Sequence, residues 1–174
     1  MVADKTERMY QIYEWLKTSR LSDLYYEESL RRWSWGVKMH DVIIALTGAA
    51  SPIAFWQHSS SPIQQQGWFW ITLVAATFAM LKPILRWENN LRLYSELHVH
   101  YSDLYMDLKC LCEDIAASNE LSTKANSLFE HYRRTFRSLE HKEPPQNDQK
   151  VRRLQIRVNR EIDINKCWFP NESE

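Results

Sequence analysis

At 174 residues the chain is long enough for one ordinary domain with a sizeable core. Three glycines and six prolines leave too few turn residues for an all-β fold and no room for a Gly-rich phosphate loop. Lysine plus arginine and aspartate plus glutamate both total 22, so bulk charge gives no argument for nucleic-acid binding.

Residues 3–18 read as a short amphipathic helix with Met9, Ile12, Tyr13 and Leu16 on one face. "SRLSD" is expected to interrupt it, with Ser22 as the N-cap of a second helix. That second helix runs through "LYYEESLRRWSWGVKMHD", where Gly36 is the one breaker. The polar N-terminal stretch does not read as a cleavable signal. Cys110, Cys112 and Cys167 make an odd set, and an odd count argues against a secreted disulfide framework. All three are expected to be reduced thiols.

The mean hydropathy of −0.52 hides the main feature. Residues 42–81 contain no Asp, Glu, Lys or Arg, and two apolar runs, 42–56 and 67–81, flank the polar linker "QHSSSPIQQQ". Each run rises about 22 Å as a helix, short of a hydrocarbon core of about 30 Å. Val37 and Met39 extend the first run, and Pro83, Ile84 and Leu85 the second. Lys38 and Lys82 then sit near the interface, where long side chains snorkel. Trp33, Trp35 and Trp87 fall at one end of the pair and Trp56, Trp68 and Trp70 at the other, as interfacial belts require. The linker lacks Lys and Arg, whereas the flanks carry Arg31, Arg32, Lys38, Lys82, Arg86 and Arg92. The positive-inside rule then puts both termini in the cytoplasm. The expected fold is an all-α membrane protein. It has N-terminal cytosolic helices (1–36), a transmembrane hairpin (37–86, spans 37–57 and 67–86) and a cytosolic helical region (87–174). A soluble helical hairpin is the alternative, since short apolar runs are often core helices.

Beyond the hairpin, Leu93, Leu97, Tyr101, Leu104, Leu108, Leu111 and Ile115 repeat at three and four residues, predicting one long helix to about Ser118. "ASNELSTK" is a turn. Leu121, Ala125, Leu128, Tyr132 and Leu139 mark a second, antiparallel helix, which "HKEPPQND" ends. In the last segment Val151, Leu154, Val158 and Ile162 fit a helix, whereas Leu154, Ile156, Val158, Ile162 and Ile164 fit strand alternation. A helix is favoured because a lone strand would have no partner.

Two helices enclose no lumen, so a pore would need several hairpins, and a homotetramer is expected. Thr72, Ala75, Ala76 and Ala79 present small residues for close helix packing. His40, Thr47, Ser51 and His58 fall near one side of the first span, either lining water or packing with hydroxyls bonded back to the helix. Asp41 and Lys82 come to similar depth and suit an ion pair, or Asp41 forms a carboxylate ring at a pore mouth. Pore or gate candidates are therefore Asp41, Thr47, Ser51 and Lys82. His98 and His100 diverge by about 200° on a helix and cannot share one ion, so no metal is expected. No nucleophile triad, Cys-x-x-Cys, His-Glu-x-x-His or P-loop occurs, and the chain is not expected to be an enzyme. The candidate phosphate-binding cations lie in "HYRRTFR" (Tyr132, Arg133, Arg134, Arg137) and "KVRRLQIR" (Arg152, Arg153), with Tyr132 or Phe136 to stack a base. Neighbouring Glu130, Glu140 and Glu143 offer the competing reading of a solvated, paired face.

A hairpin preceded by "YYEESLRRW" and followed by "LKPILRWENNLRLYSELHVHYSDLYMDL" resembles the SLATT family over roughly residues 20–140. The resemblance implies a bacterial inner-membrane effector of anti-phage defence, a pore that depolarises the cell and arrests growth. It also implies a nucleotide or oligonucleotide signal, made by a neighbouring nucleotidyltransferase, that opens or restrains that pore. No other cofactor is implied. The alternative is a membrane-anchored helical module that recruits a cytosolic partner.

Overall fold

The computed structural model describes residues 2–49, 70, 73, 76, 77 and 87–163. Among the described residues, four helices have defined bounds: α1 (Val2–Ala49), α2 (Trp87–Ser118), α3 (Thr123–Glu140) and α4 (Asp148–Glu161). Among the described residues all regular structure is helical, as the periodicities predict. The chain divides into two compact units. One comprises Met1–Glu28 with Tyr94–Glu174, and the other is Ser29–Leu93.

The first unit is an up–down–up–down four-helix bundle, and its contacts set the directions. Along α1, Arg20, Asp23 and Tyr26 meet Tyr105, His98 and Tyr94 of α2 in descending order, so these helices run antiparallel. Arg8 and Trp15 meet Glu130 and Phe136, so α3 runs parallel to α1. Glu28 and Arg20 meet Arg153 and Glu161, so α4 runs antiparallel to α1. The core seam is the apolar stripe of each helix. It contains Met9, Ile12, Tyr13 and Leu16 from α1, then Leu97, Tyr101, Leu104, Leu108, Leu111 and Ile115 from α2. Ala125, Phe129, Phe136 and Leu139 of α3 and Leu154 and Val158 of α4 close it. Burying each large side chain contributes about 1.5–3 kcal/mol.

Local chemistry sets the helix ends. Asn119 follows α2 in the left-handed region (φ 51°), a conformation that Asn tolerates better than most residues. The Ser122 side chain then caps α3 by accepting from the Ala125 N–H at 3.1 Å, and Asn147 caps α4 by accepting from the Lys150 N–H at 3.1 Å. Pro144 and Pro145 lie between the two helices, where neither residue needs to donate a helical N–H.

Two expectations need correction. α1 does not break at "SRLSD", and Ser22 is a buried mid-helix residue, not a cap. The segment contains no Pro or Gly, and Ser19, Ser22 and Asp23 continue the inward face of Leu16, so tertiary contacts override weak local preference. On α3, Phe129 and Phe136 are core residues, whereas Leu128 and Tyr132 are only half-buried. For the last segment the favoured helix is the one observed: Leu154, Val158 and Ile162 are buried on one face of α4 and its end, while Ile156, which only the strand alternation would have turned inward, is 58% exposed.

No helix is long and apolar enough to cross a membrane among the described residues. Of the expected spans, residues 37–49 of the first and 70, 73, 76 and 77 of the second are described, and the rest of 37–57 and 67–86 lies outside them. The part of α1 in the second unit does differ in character from the bundle. Trp35, Met39 and Val42, spaced at four and three residues, are 65%, 40% and 50% exposed. Trp70 and Leu73 are similarly exposed.

Candidate functional site

The bundle core contains a polar network within an otherwise apolar seam. Asp23 is buried, and its carboxylate accepts from Arg20 Nη1 at 2.7 Å. The same guanidinium reaches Glu161 of α4 at 3.0 Å through Nε and Nη2, and lies 4.9 Å from the Tyr105 ring centroid. Arg20 thus joins α1, α2 and α4. Burial alone lowers its pKa, but hydrogen bonding and charge attraction from Glu161 and Asp23 outweigh that and hold it above its usual value. The other Asp23 oxygen lies 3.0 Å from His98 Nδ1, a close polar contact without directed hydrogen-bond geometry. Ser19 Oγ is also buried without a hydrogen-bond partner among the described residues.

A second polar cluster belongs to tyrosines. Tyr26 stacks on Tyr101 at 5.6 Å and 8°, and Tyr101 meets Phe136 edge-on at 5.4 Å. Burial, reinforced by the Glu143 carboxylate, pushes both phenols well above their ordinary range. Glu143 Oε2 accepts from Gln146 Nε2 at 2.8 Å, while Glu143 Oε1 and the Tyr101 hydroxyl are buried without a hydrogen bond of ordinary geometry among the described residues. Tyr25 has better-satisfied polar atoms. Its hydroxyl accepts from the Asn147 N–H at 3.0 Å, its carbonyl accepts from Lys150 Nζ at 2.8 Å, and that ammonium lies 4.2 Å from its ring. These contacts fasten the start of α4 to α1.

A cleft of about 600 Å³ opens between α1, α2 and the end of α4. Tyr13, Leu16 and Cys112 give it an apolar floor, and Lys109, Arg160, Glu113 and Glu161 stand at its rim. The mixed charge selects no ligand sign.

The expected nucleotide contacts fall in two separate places. Arg133 pairs with Glu130 at 3.1 Å, and Glu130 also pairs with Arg8 at 3.1 Å. Arg134 and Arg137 are exposed. Tyr132 is half-buried, and its phenol is raised by burial and by Asp107, Cys110 and Asp114. Phe136 is packed against Trp15 and Tyr101 and is not available to stack a base. On α4, Arg153 binds both carboxylate oxygens of Glu28, and Arg152 is exposed. Since Trp15 marks the level of the first cluster and Glu28 that of the second, they are about 20 Å apart along α1.

Of the pore and packing candidates, Asp41 is exposed, 3.5 Å from buried His40. Thr47 lies within α1, and Ala76 is helical and exposed. Ser51, His58, Thr72, Ala75, Ala79 and Lys82 lie outside the described residues, so the Asp41–Lys82 pairing does too. His98 meets Asp23, while His100 is exposed. Among the described residues no group of three His, Cys, Asp or Glu could hold a metal ion.

Sequence reasoning missed the Arg20–Asp23–His98–Glu161 network. Its signal was present: Leu16, Ser19, Asp23 and Tyr26 keep the three-and-four spacing through the presumed break. No family model, no curated protein and no solved structure matches the chain.

Proposed function

We propose that the chain is an oligomeric inner-membrane pore whose cytosolic bundle senses a signal and biases the packing of its membrane helices. The carrying observation is the dual character of α1. One face of its first half is buried in the bundle core, and the same unbroken helix goes on to expose Trp35, Met39 and Val42 at the start of the apolar segment. A stripe of this kind suits lipid or a neighbouring copy better than water. The uncharged stretch 42–81, its tryptophan edges and its lysine- and arginine-rich flanks support two spans with both termini inside.

In this reading the bundle is the two-state element for gating. Arg20 ties three helices through partly buried charges, so a ligand that redistributes these pairs alters how α1 is held. In keeping with the SLATT resemblance, the signal is a nucleotide or oligonucleotide from a neighbouring nucleotidyltransferase, acting in defence against phage by depolarisation and growth arrest.

The test replaces residues 37–86 with an unrelated two-span anchor and follows membrane potential and growth in induced cells, with and without the neighbouring enzyme. Loss of depolarisation with the bundle still at the membrane supports the pore. Full activity after the swap would overturn it in favour of an anchored recruitment module.

A further inference from the structure

The surface of the bundle segregates charge. Between Tyr94 and Ser118, α2 carries Glu96, Asp103, Asp107, Glu113 and Asp114 against the single lysine Lys109. All five carboxylate residues are exposed. Val99 and Met106, two helical turns apart on the side away from the core leucines, are 51% and 56% exposed. α4 is the reverse, with five cations against two carboxylates. Its exposed Ile156 has Arg152, Arg153 and Arg160 on the adjoining turns. Arg152, Arg157 and Arg160 make no ion pair among the described residues.

We infer that these faces are the two halves of one interface, the α2 face of one copy seating on the α4 face of the next. Each has an apolar centre, and the charges around the two centres are opposite. RNA or an anionic lipid surface would also meet the arginines. However, the chain has zero formal net charge and carries its acids on the same bundle, so long-range attraction of a polyanion is opposed. A second copy satisfies both faces at once. Because the faces differ, the contact is heterologous and closes into a ring or continues as an open chain. The inference rests on the oligomeric part of the proposed function and is independent of conduction.

The experiment measures the mass of the full-length protein in detergent by light scattering. Wild type is expected to be oligomeric at low salt and to lose assembly in 1 M NaCl, where screening acts over about 3 Å. Arg152→Glu/Arg157→Glu and Asp103→Arg/Asp107→Arg, which leave the rim of the cleft untouched, are each expected to give protomers, and the four changes together to restore the oligomer. An unchanged mass in either double variant or in 1 M NaCl, or failure of the combination to restore it, would overturn the interface. So would unchanged mass with lost heparin retention in the arginine variant, which would assign that face to a polyanion. Reversal variants that remain oligomeric and conduct would remove the interface but leave the pore. Charge-dependent assembly without ion flux would do the opposite.

Discussion

Tyr25 and Tyr101 allow the same chemical change to be made in two opposite settings. Both rings are buried in the bundle. The Tyr25 hydroxyl accepts the Asn147 N–H at 3.0 Å at the cap of α4, whereas the Tyr101 hydroxyl has no hydrogen bond of ordinary geometry among the described residues. Removing the first hydroxyl discards a net contribution of about 0.5–1.5 kcal/mol. Removing the second discards at most a poorly directed contact with the Glu143 carboxylate, and it relieves a buried polar group whose desolvation costs about 1–3 kcal/mol. Tyr25→Phe is therefore expected to lower the melting temperature by roughly 2–5 °C, and Tyr101→Phe to leave it unchanged or raise it. The assay is loss of helical circular dichroism on heating full-length protein in one detergent. Equal destabilisation by both variants would refute the reasoning, since Tyr101 would then have to bond Glu143 in solution.

Asp23→Ala is expected to cost about 2–4 kcal/mol, because it leaves Arg20 short of one partner and His98 short of its charge neighbour in the core. Arg153→Ala, at a pair whose arginine side chain is 65% exposed, should cost under about 1 kcal/mol. Urea unfolding of the two variants under identical conditions ranks them, and the reverse ranking would overturn the assignment of the internal network. Gly36→Ala meets nothing within 4 Å inside α1 and should stabilise that helix by about 0.5–1 kcal/mol. Hydrogen exchange around residues 32–40 should slow, and faster exchange would show that α1 does not run unbroken through Gly36.

The parts of the fold that were readable from sequence are those where one apolar face runs unopposed. On α2, the predicted residues from Leu97 to Ile115 are buried, because charged residues separate them at every turn. α3 was read less well. Leu128 and Phe129, being adjacent, both fit a seam through Ala125 and Leu139, and only packing against Trp15 and Tyr101 selects the phenylalanine register. The continuity of α1 was hidden because Ser19, Ser22 and Asp23 look like turn residues until the partners from α2 and α4 are in place. The same physics hid the internal network. The spacing of Leu16, Ser19, Asp23 and Tyr26 places Asp23 on the inward face beside Arg20, but His98 and Glu161 are far away in sequence, and no local pattern signals that they converge on that pair. The two arginine clusters were legible as composition, but their separation along α1 depends on helix directions that only the assembled bundle provides.

The most direct test of the central claim is ion flux through the purified full-length protein in liposomes, measured with and without candidate nucleotides. The account predicts a potassium or proton leak above that of empty vesicles in at least one of these states, rising with protein density as expected for an oligomer. Vesicles that hold the protein in their bilayer yet stay as tight as empty ones in every nucleotide state would contradict it.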